Sequence, residues 1–260
     1  MFKKLLKYEF KSVGKWYLGI YLGVIILSVV LGFWIQALVL KSTTSAVSTA
    51  NAEMFLFGTS SMVFGILIAA LFLSTFVLVI NRFRSNIYGR QAYLTMTLPV
   101  NSHQLILSKL VASLVWYFLA GITALLAIGI VISFVLMSTN ELLIPELQYV
   151  FQQVDIGVFI AYALSTLIES IRGILLIYFS ISVGQLFRDH RLLFAILTYI
   201  GISILSGSIS MFNYINQGDV YADTISSLYP NPFFVLLNIV LAFGYYFVTH
   251  YIMTKKLNLQ

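Results

Sequence analysis

Six apolar runs, each about 20 residues or longer, divide this chain of 260 residues. They are Trp16–Leu40, Phe57–Ile80, Leu105–Met137, Gly157–Phe187, Leu192–Phe212 and Phe233–Met253. A helix rises about 1.5 Å per residue, so about 20 apolar residues cross a hydrocarbon core of ~30 Å, and every run meets that length. A β-barrel is excluded, because the runs lack strict two-residue alternation and are too long for barrel strands. The third and fourth runs exceed the requirement, which predicts tilt or helical extension into water. Small residues, as in the stretch "GISILSGSIS" at 201–210, predict close approach between helices.

Composition agrees with a lipid-facing surface. Charged residues are only 9% of the chain and apolar residues 60%, whereas a soluble domain carries about a quarter charged residues. The expected fold class is therefore an all-α integral membrane protein with six transmembrane helices. There is no cysteine, and His103, His190 and His250 lie far apart in sequence, so neither disulfides nor a metal centre are expected.

Basic residues set an expected orientation. The N-terminal segment holds Lys3, Lys4, Lys7, Lys11 and Lys15, and the second connection holds Arg82, Arg84, Arg90 and Lys109. Arg188 and Arg191 follow the fourth run, and Lys255 and Lys256 follow the sixth. Together these are 13 of the 15 Lys and Arg, all on one side. The other side carries Lys41 but collects Glu53, Glu141, Glu146, Asp155, Asp219 and Asp223. The positive-inside rule places both termini in the cytoplasm of a multi-pass protein of the cytoplasmic membrane. The net charge of +6 reflects this asymmetry and gives no case for nucleic-acid binding.

Residues 1–15 read as an uncleaved amphipathic helix lying in the inner interface rather than a signal peptide. At about 100° per residue, Phe2, Leu5, Leu6, Phe10, Val13, Trp16 and Tyr17 share one arc and the five lysines the other. Glu9 interrupts the apolar arc beside Phe10. It either snorkels to the headgroups or marks a face partly covered by protein.

No phosphate loop, dinucleotide fingerprint, nucleophile elbow or zinc-binding helix occurs in the sequence. The chain is read as a non-enzyme; any active transport would draw on an ion gradient or another polypeptide. One pair of charges falls inside a span. "LIESIRGILL" puts Glu169 and Arg172 three residues apart on one helix face, where they can pair. An isolated charge there would cost roughly 2.5–3.5 kcal/mol or more. The pair is either structural or part of a substrate or proton path.

The connection "YGRQAYLTMTLPVNSHQLILSK", from Tyr88 to Lys109, is basic and hydroxyl-rich and too long for a tight turn. Pro99 ends what precedes it, and Ser102 is the expected N-cap of the next helix. Apolar side chains and hydroxyls beside arginines suit a protein surface; the plainer alternative is an interfacial loop anchored by Tyr88 and Tyr93.

Four stretches, "LLKYEFKSVGK", "RFRSNIYGRQAYLTMTLPVNSHQLILSK", "GQLFRDHRLL" and "SSLYPNP", resemble in order and spacing a six-helix permease subunit of the ABC-2 type. The group is common in Gram-positive bacteria and includes bacteriocin-immunity and multidrug-like transporters. The resemblance implies transport of a peptide, lipid or drug-like substrate. A second permease chain, identical or homologous, and a dimer of ATP-binding cassette ATPase subunits would be partners. ATP and Mg would be bound by the ATPase, and no cofactor by this chain. It also implies that residues 81–104 form a coupling segment docked on the ATPase, with Gly89, Arg90, Gln91, Tyr93, Thr97, Leu98 and Pro99 at the contact and Glu9 and Phe10 in the interfacial helix beside it. Relatives often carry an acidic "GDEGY" where this chain reads "GRQAY", so Arg90 and Gln91 reverse or remove any charge pairing with the motor. The outer connection, residues 213–232, would form short helices over the outer mouth or an aromatic-anchored loop. Two other classes compete: a stand-alone ion-coupled transporter using Glu169, and a membrane assembly scaffold.

Overall fold

A computed structural model describes residues 2–44, 50–89, 101–139, 155–187, 189–216 and 230–255. They form six helices: α1 (Phe2–Thr44), α2 (Ala50–Ile87), α3 (Ser102–Thr139), α4 (Ile156–Gly184), α5 (Arg191–Asn216) and α6 (Pro232–Lys255). Each contains a stretch long and apolar enough to cross a membrane: Gly14–Leu40, Gly58–Ile87, Ser102–Met137, Ile156–Gly184, Arg191–Phe212 and Pro232–Lys255. The protein is a six-span helical membrane protein. Large apolar side chains such as Phe33, Leu125, Leu205 and Phe243 are more than half exposed, as expected where the surrounding solvent is lipid.

The spans differ from the sequence reading mainly at their ends. The fourth stops at Gly184 rather than Phe187, because Gln185, Leu186 and Phe187 turn. The first helix is the longest at 43 residues, about 64 Å at 1.5 Å per residue. α1 runs unbroken from Phe2 through residue 15 into the first span. Gly14, the only breaker there, costs about 1 kcal/mol relative to alanine, too little to end a helix this long. Lys3, Lys4, Lys7, Lys11 and Lys15 are exposed and Phe2, Leu5, Leu6 and Phe10 half-buried, whereas Trp16 of the same expected arc is exposed.

Helix starts follow capping chemistry. Asp155 accepts from the Gly157 amide at 2.8 Å and Asn231 from the Phe233 amide at 3.0 Å, satisfying donors left free in a first turn. At α3 the cap is Asn101, not Ser102: the Asn101 carbonyl accepts from the Leu105 amide at 3.2 Å, and Ser102 is already helical.

The chain divides into two compact units, one of Lys7–Leu78 and Val115–Gln153, the other of Met1–Leu6, Val79–Leu114 and Val154–Gln260. In the first, Trp116 of α3 is the hub. Tyr17 stacks on it at 4.4 Å with the rings 5° apart, and Phe10 packs on it at 5.8 Å. The Tyr21 hydroxyl donates to the Trp116 carbonyl at 2.7 Å. Ala120, Ala124 and Ala127 continue the same face of α3, with Val24 and Leu71 in the cluster; residues this small let helix backbones come close. Gly32 serves the same end, since a Cβ there would run into the Phe134 ring.

In the second unit, α4 packs against both α5 and α6. Tyr178 of α4 is 1% exposed. The Phe83 ring stacks on it at 3.9 Å, and its hydroxyl lies 2.8 Å from the Ser113 hydroxyl. Where α4 meets α5, a Cβ on Gly184 would lie 2.5 Å from the Arg191 carbonyl oxygen and 2.8 Å from the Ala195 methyl. His190 makes that tight reversal in the left-handed region, at φ 56°. The close approach expected within "GISILSGSIS" is not made by its glycines: a Cβ on Gly201 or Gly207 would meet nothing within 4 Å.

Candidate functional site: a polar cavity lined by three spans

Two helices, α4 and α5, turn a polar face to a cavity of about 620 Å³ that α6 closes with a mostly apolar one. From α4 come Tyr162, Ser165, Thr166, Glu169, Arg172 and Gly173. Their spacing of three and four residues is that of one helix face. From α5 come Tyr199, Ser203, Ser206, Gly207 and Ser210, again on one face. The α6 contribution is mixed: Asn231 and Asn238 stand beside Phe234, Leu237 and Leu241. The volume falls within the roughly 300–1,000 Å³ of small-molecule sites.

The hydroxyls and the charges offer different chemistry. Ser165 and Thr166 both donate to the Tyr162 carbonyl, at 2.9 and 2.8 Å. Ser206 donates to Ser203 at 3.0 Å, and Ser210 to Ser206 at 3.0 Å. Each has spent its proton on its own helix, so what it presents outward is lone pairs. Arg172 is the opposite case. Its Nε–H is buried and finds no hydrogen-bond partner among the described residues. The pairing expected between Glu169 and Arg172 is therefore not made through that atom, although both side chains line the same cavity. A donor left dry in an apolar surrounding is costly, about 1–3 kcal/mol for a neutral group and more for a charged one.

Sequence reasoning found Glu169 and Arg172 but missed the rest of the lining. The signal was present as helical periodicity. Tyr162, Ser165, Thr166, Glu169, Arg172 and Gly173 repeat at helical spacing, as do Tyr199, Ser203, Ser206 and Ser210. The serines of α5 read as packing residues because their partner faces on α4 and α6 are distant in sequence.

Of the residues expected at an ATPase contact, Gly89 is described. A Cβ on it would lie 2.6 Å from the Ser85 carbonyl oxygen, so the chain leaves α2 through a turn that favours glycine. Arg90, Gln91, Tyr93, Thr97, Leu98 and Pro99 lie outside the described residues. The segment's flanks are fixed on α4. The Tyr88 hydroxyl donates to Ser182 Oγ at 2.7 Å, and burial pushes its pKa up to about 12. Glu9 is half-buried and not without a partner.

Two of the three histidines, distant in sequence, meet in the fold. The His103 and His250 rings stack at 3.8 Å, with His103 Nδ1 2.7 Å from the Tyr246 hydroxyl. They meet because the start of α3 and the end of α6 come together. Among the described residues no three His, Asp or Glu side chains group as metal ligands. Comparison with family models, curated proteins and solved structures returns no match to this chain.

Proposed function

We propose that the chain is the permease subunit of an ATP-binding cassette transporter, moving a peptide, lipid or drug-like substrate with ATP hydrolysed by a separate subunit. The observation that carries a transport reading is the polar cavity in the membrane part, with Glu169 and Arg172 on one wall. Intramembrane ionisable residues are costly and commonly mark substrate or ion paths, which supports a transport reading over a scaffold. The ATP-driven form rests on the resemblance of the four stretches to ABC-2 permeases and on the absence of a phosphate loop from this sequence. In this reading both termini are cytoplasmic, residues 81–104 grip the ATPase, and a second permease chain completes the complex.

The test is a Tyr93→Asp/Leu98→Asp double variant. It should uncouple ATP hydrolysis from transport while the purified membrane part keeps its elution volume and melting temperature. Unchanged coupling would remove the docking assignment.

The second reading, an ion-coupled transporter, is favoured by the position of Glu169 on the cavity wall. It requires proton-driven uptake in vesicles lacking any ATPase, abolished by Glu169→Gln.

A further inference from the structure

The cavity lined by α4, α5 and α6 is chemically asymmetric, and the asymmetry names a ligand class. Arg172 brings a positive charge to the cavity wall, while its Nε–H is enclosed and has no partner among the described residues. A guanidinium is suited to a phosphate or carboxylate, which it can hold with two parallel hydrogen bonds. Glu169 lies one helical turn away on the same face and as a carboxylate is an acceptor. The hydroxyls of Ser165, Thr166, Ser206 and Ser210 have their protons committed to backbone carbonyls and add only lone pairs. One donor group beside many acceptors fits a ligand with one oxyanion and a neighbouring group rich in N–H. A primary ammonium has three such hydrogens; a quaternary ammonium has none. Leu237 and Leu241 add apolar lining along α6.

We infer that this cavity binds a zwitterion that carries a primary ammonium close to a phosphate, the chemistry of a phosphoethanolamine headgroup, with Arg172 on the phosphate and Glu169 with the serine hydroxyls on the ammonium. The two carbons between phosphate and amine match side chains one helical turn apart, whose Cβ atoms are about 5–6 Å from each other. The inference adds a substrate class to the permease reading and rests on it for the word substrate. The binding site itself needs no ATPase.

The test uses the purified full chain in detergent, equilibrated with equal concentrations of dihexanoyl phosphoethanolamine, phosphocholine and phosphoglycerol. Bound lipid is counted by native mass spectrometry. Phosphoethanolamine should be retained about tenfold or more over the other two, since one lost hydrogen bond to a charged group is worth that factor. Glu169→Gln should abolish the discrimination while keeping phosphoglycerol binding; Arg172→Gln should weaken all three. Ser206→Ala/Ser210→Ala leaves both charges in place and should lower phosphoethanolamine retention alone, so the question stays answerable if a charge variant fails to fold. Equal retention of the three probes by the wild type overturns the inference, as does unchanged discrimination in Glu169→Gln. Tail-free glycerophosphoethanolamine in a parallel titration separates the sources: competition by it assigns a soluble zwitterion, and none assigns the lipid. Selective retention by a chain that recruits no ATPase would overturn the permease reading and leave the site standing.

Discussion

The Tyr88 hydroxyl donates to Ser182 Oγ at 2.7 Å, and Ser182 Oγ in turn donates to the Tyr178 carbonyl at 2.8 Å. This relay ties the residue just past α2 to the last turn of α4. Phe83 stacked on Tyr178, and Ser113 beside the Tyr178 hydroxyl, add the end of α2 and the first turns of α3 to the same clasp. Both flanks of the 81–104 segment are thus fastened to one helix. That helix carries Arg172 and Glu169 roughly three turns further along.

Removing the hydroxyl tests the clasp. Tyr88→Phe should destabilise the second unit by about 1 kcal/mol, the net worth of a typical hydrogen bond. Ser182→Ala should add less on top of Tyr88→Phe than it costs alone, because both break the same bond. Apparent melting temperatures of the two single variants and the double variant in detergent measure this coupling; full additivity would remove the bond from the account.

The same residue gives a pH dependence. The Tyr88 phenol stays protonated in the folded protein to about pH 12, because burial raises its pKa from the ordinary 10.0. Its contribution is complete below pH 10, where folded and unfolded phenols are both neutral. It declines between pH 10 and 12, where only the unfolded phenol ionises. In unfolding midpoints, wild type should therefore be the more stable below pH 10, and its margin over Tyr88→Phe should fall and reverse sign between pH 10 and 12. A constant margin would contradict the buried-phenol assignment.

In the other unit, Trp116→Ala should cost about 3–5 kcal/mol, the usual range for truncating a large buried aromatic. The variant strips the stacking partner of Tyr17 at 4.4 Å and the ring beneath Phe10. Trp116→Phe should recover much of that loss. Thermal unfolding followed by fluorescence of a fused reporter ranks the two, and equal stability of both with the wild type would refute the hub.

Much of the fold was legible because membrane crossing imposes a length and a composition on each helix, and Trp16–Leu40 or Leu192–Phe212 meet both without reference to the rest of the chain. What sequence reading missed was set by partners distant in the chain. Nothing near Gly184 announces that the backbone of α5 approaches it, and nothing near His103 announces the ring of His250. The serines of α5 became cavity lining only when α4 and α6 presented faces to the same space.

Arg172 separates function from stability. An enclosed Nε–H without a partner costs the resting fold stability at that atom. Arg172→Leu should therefore leave the melting temperature unchanged or raised while abolishing transport. A drop in stability comparable to that of Trp116→Ala would make Arg172 a structural residue.

The central claim is that this chain works with a motor it does not contain. The most direct measurement is to tag the C-terminus, express the chain in its native host, extract it gently and weigh what co-purifies. The account predicts a stoichiometric soluble ATPase, retained by the wild type and lost from the Tyr93→Asp/Leu98→Asp variant. A chain that emerges alone from several mild detergents, and drives uptake from an ion gradient in vesicles without ATP, would contradict it.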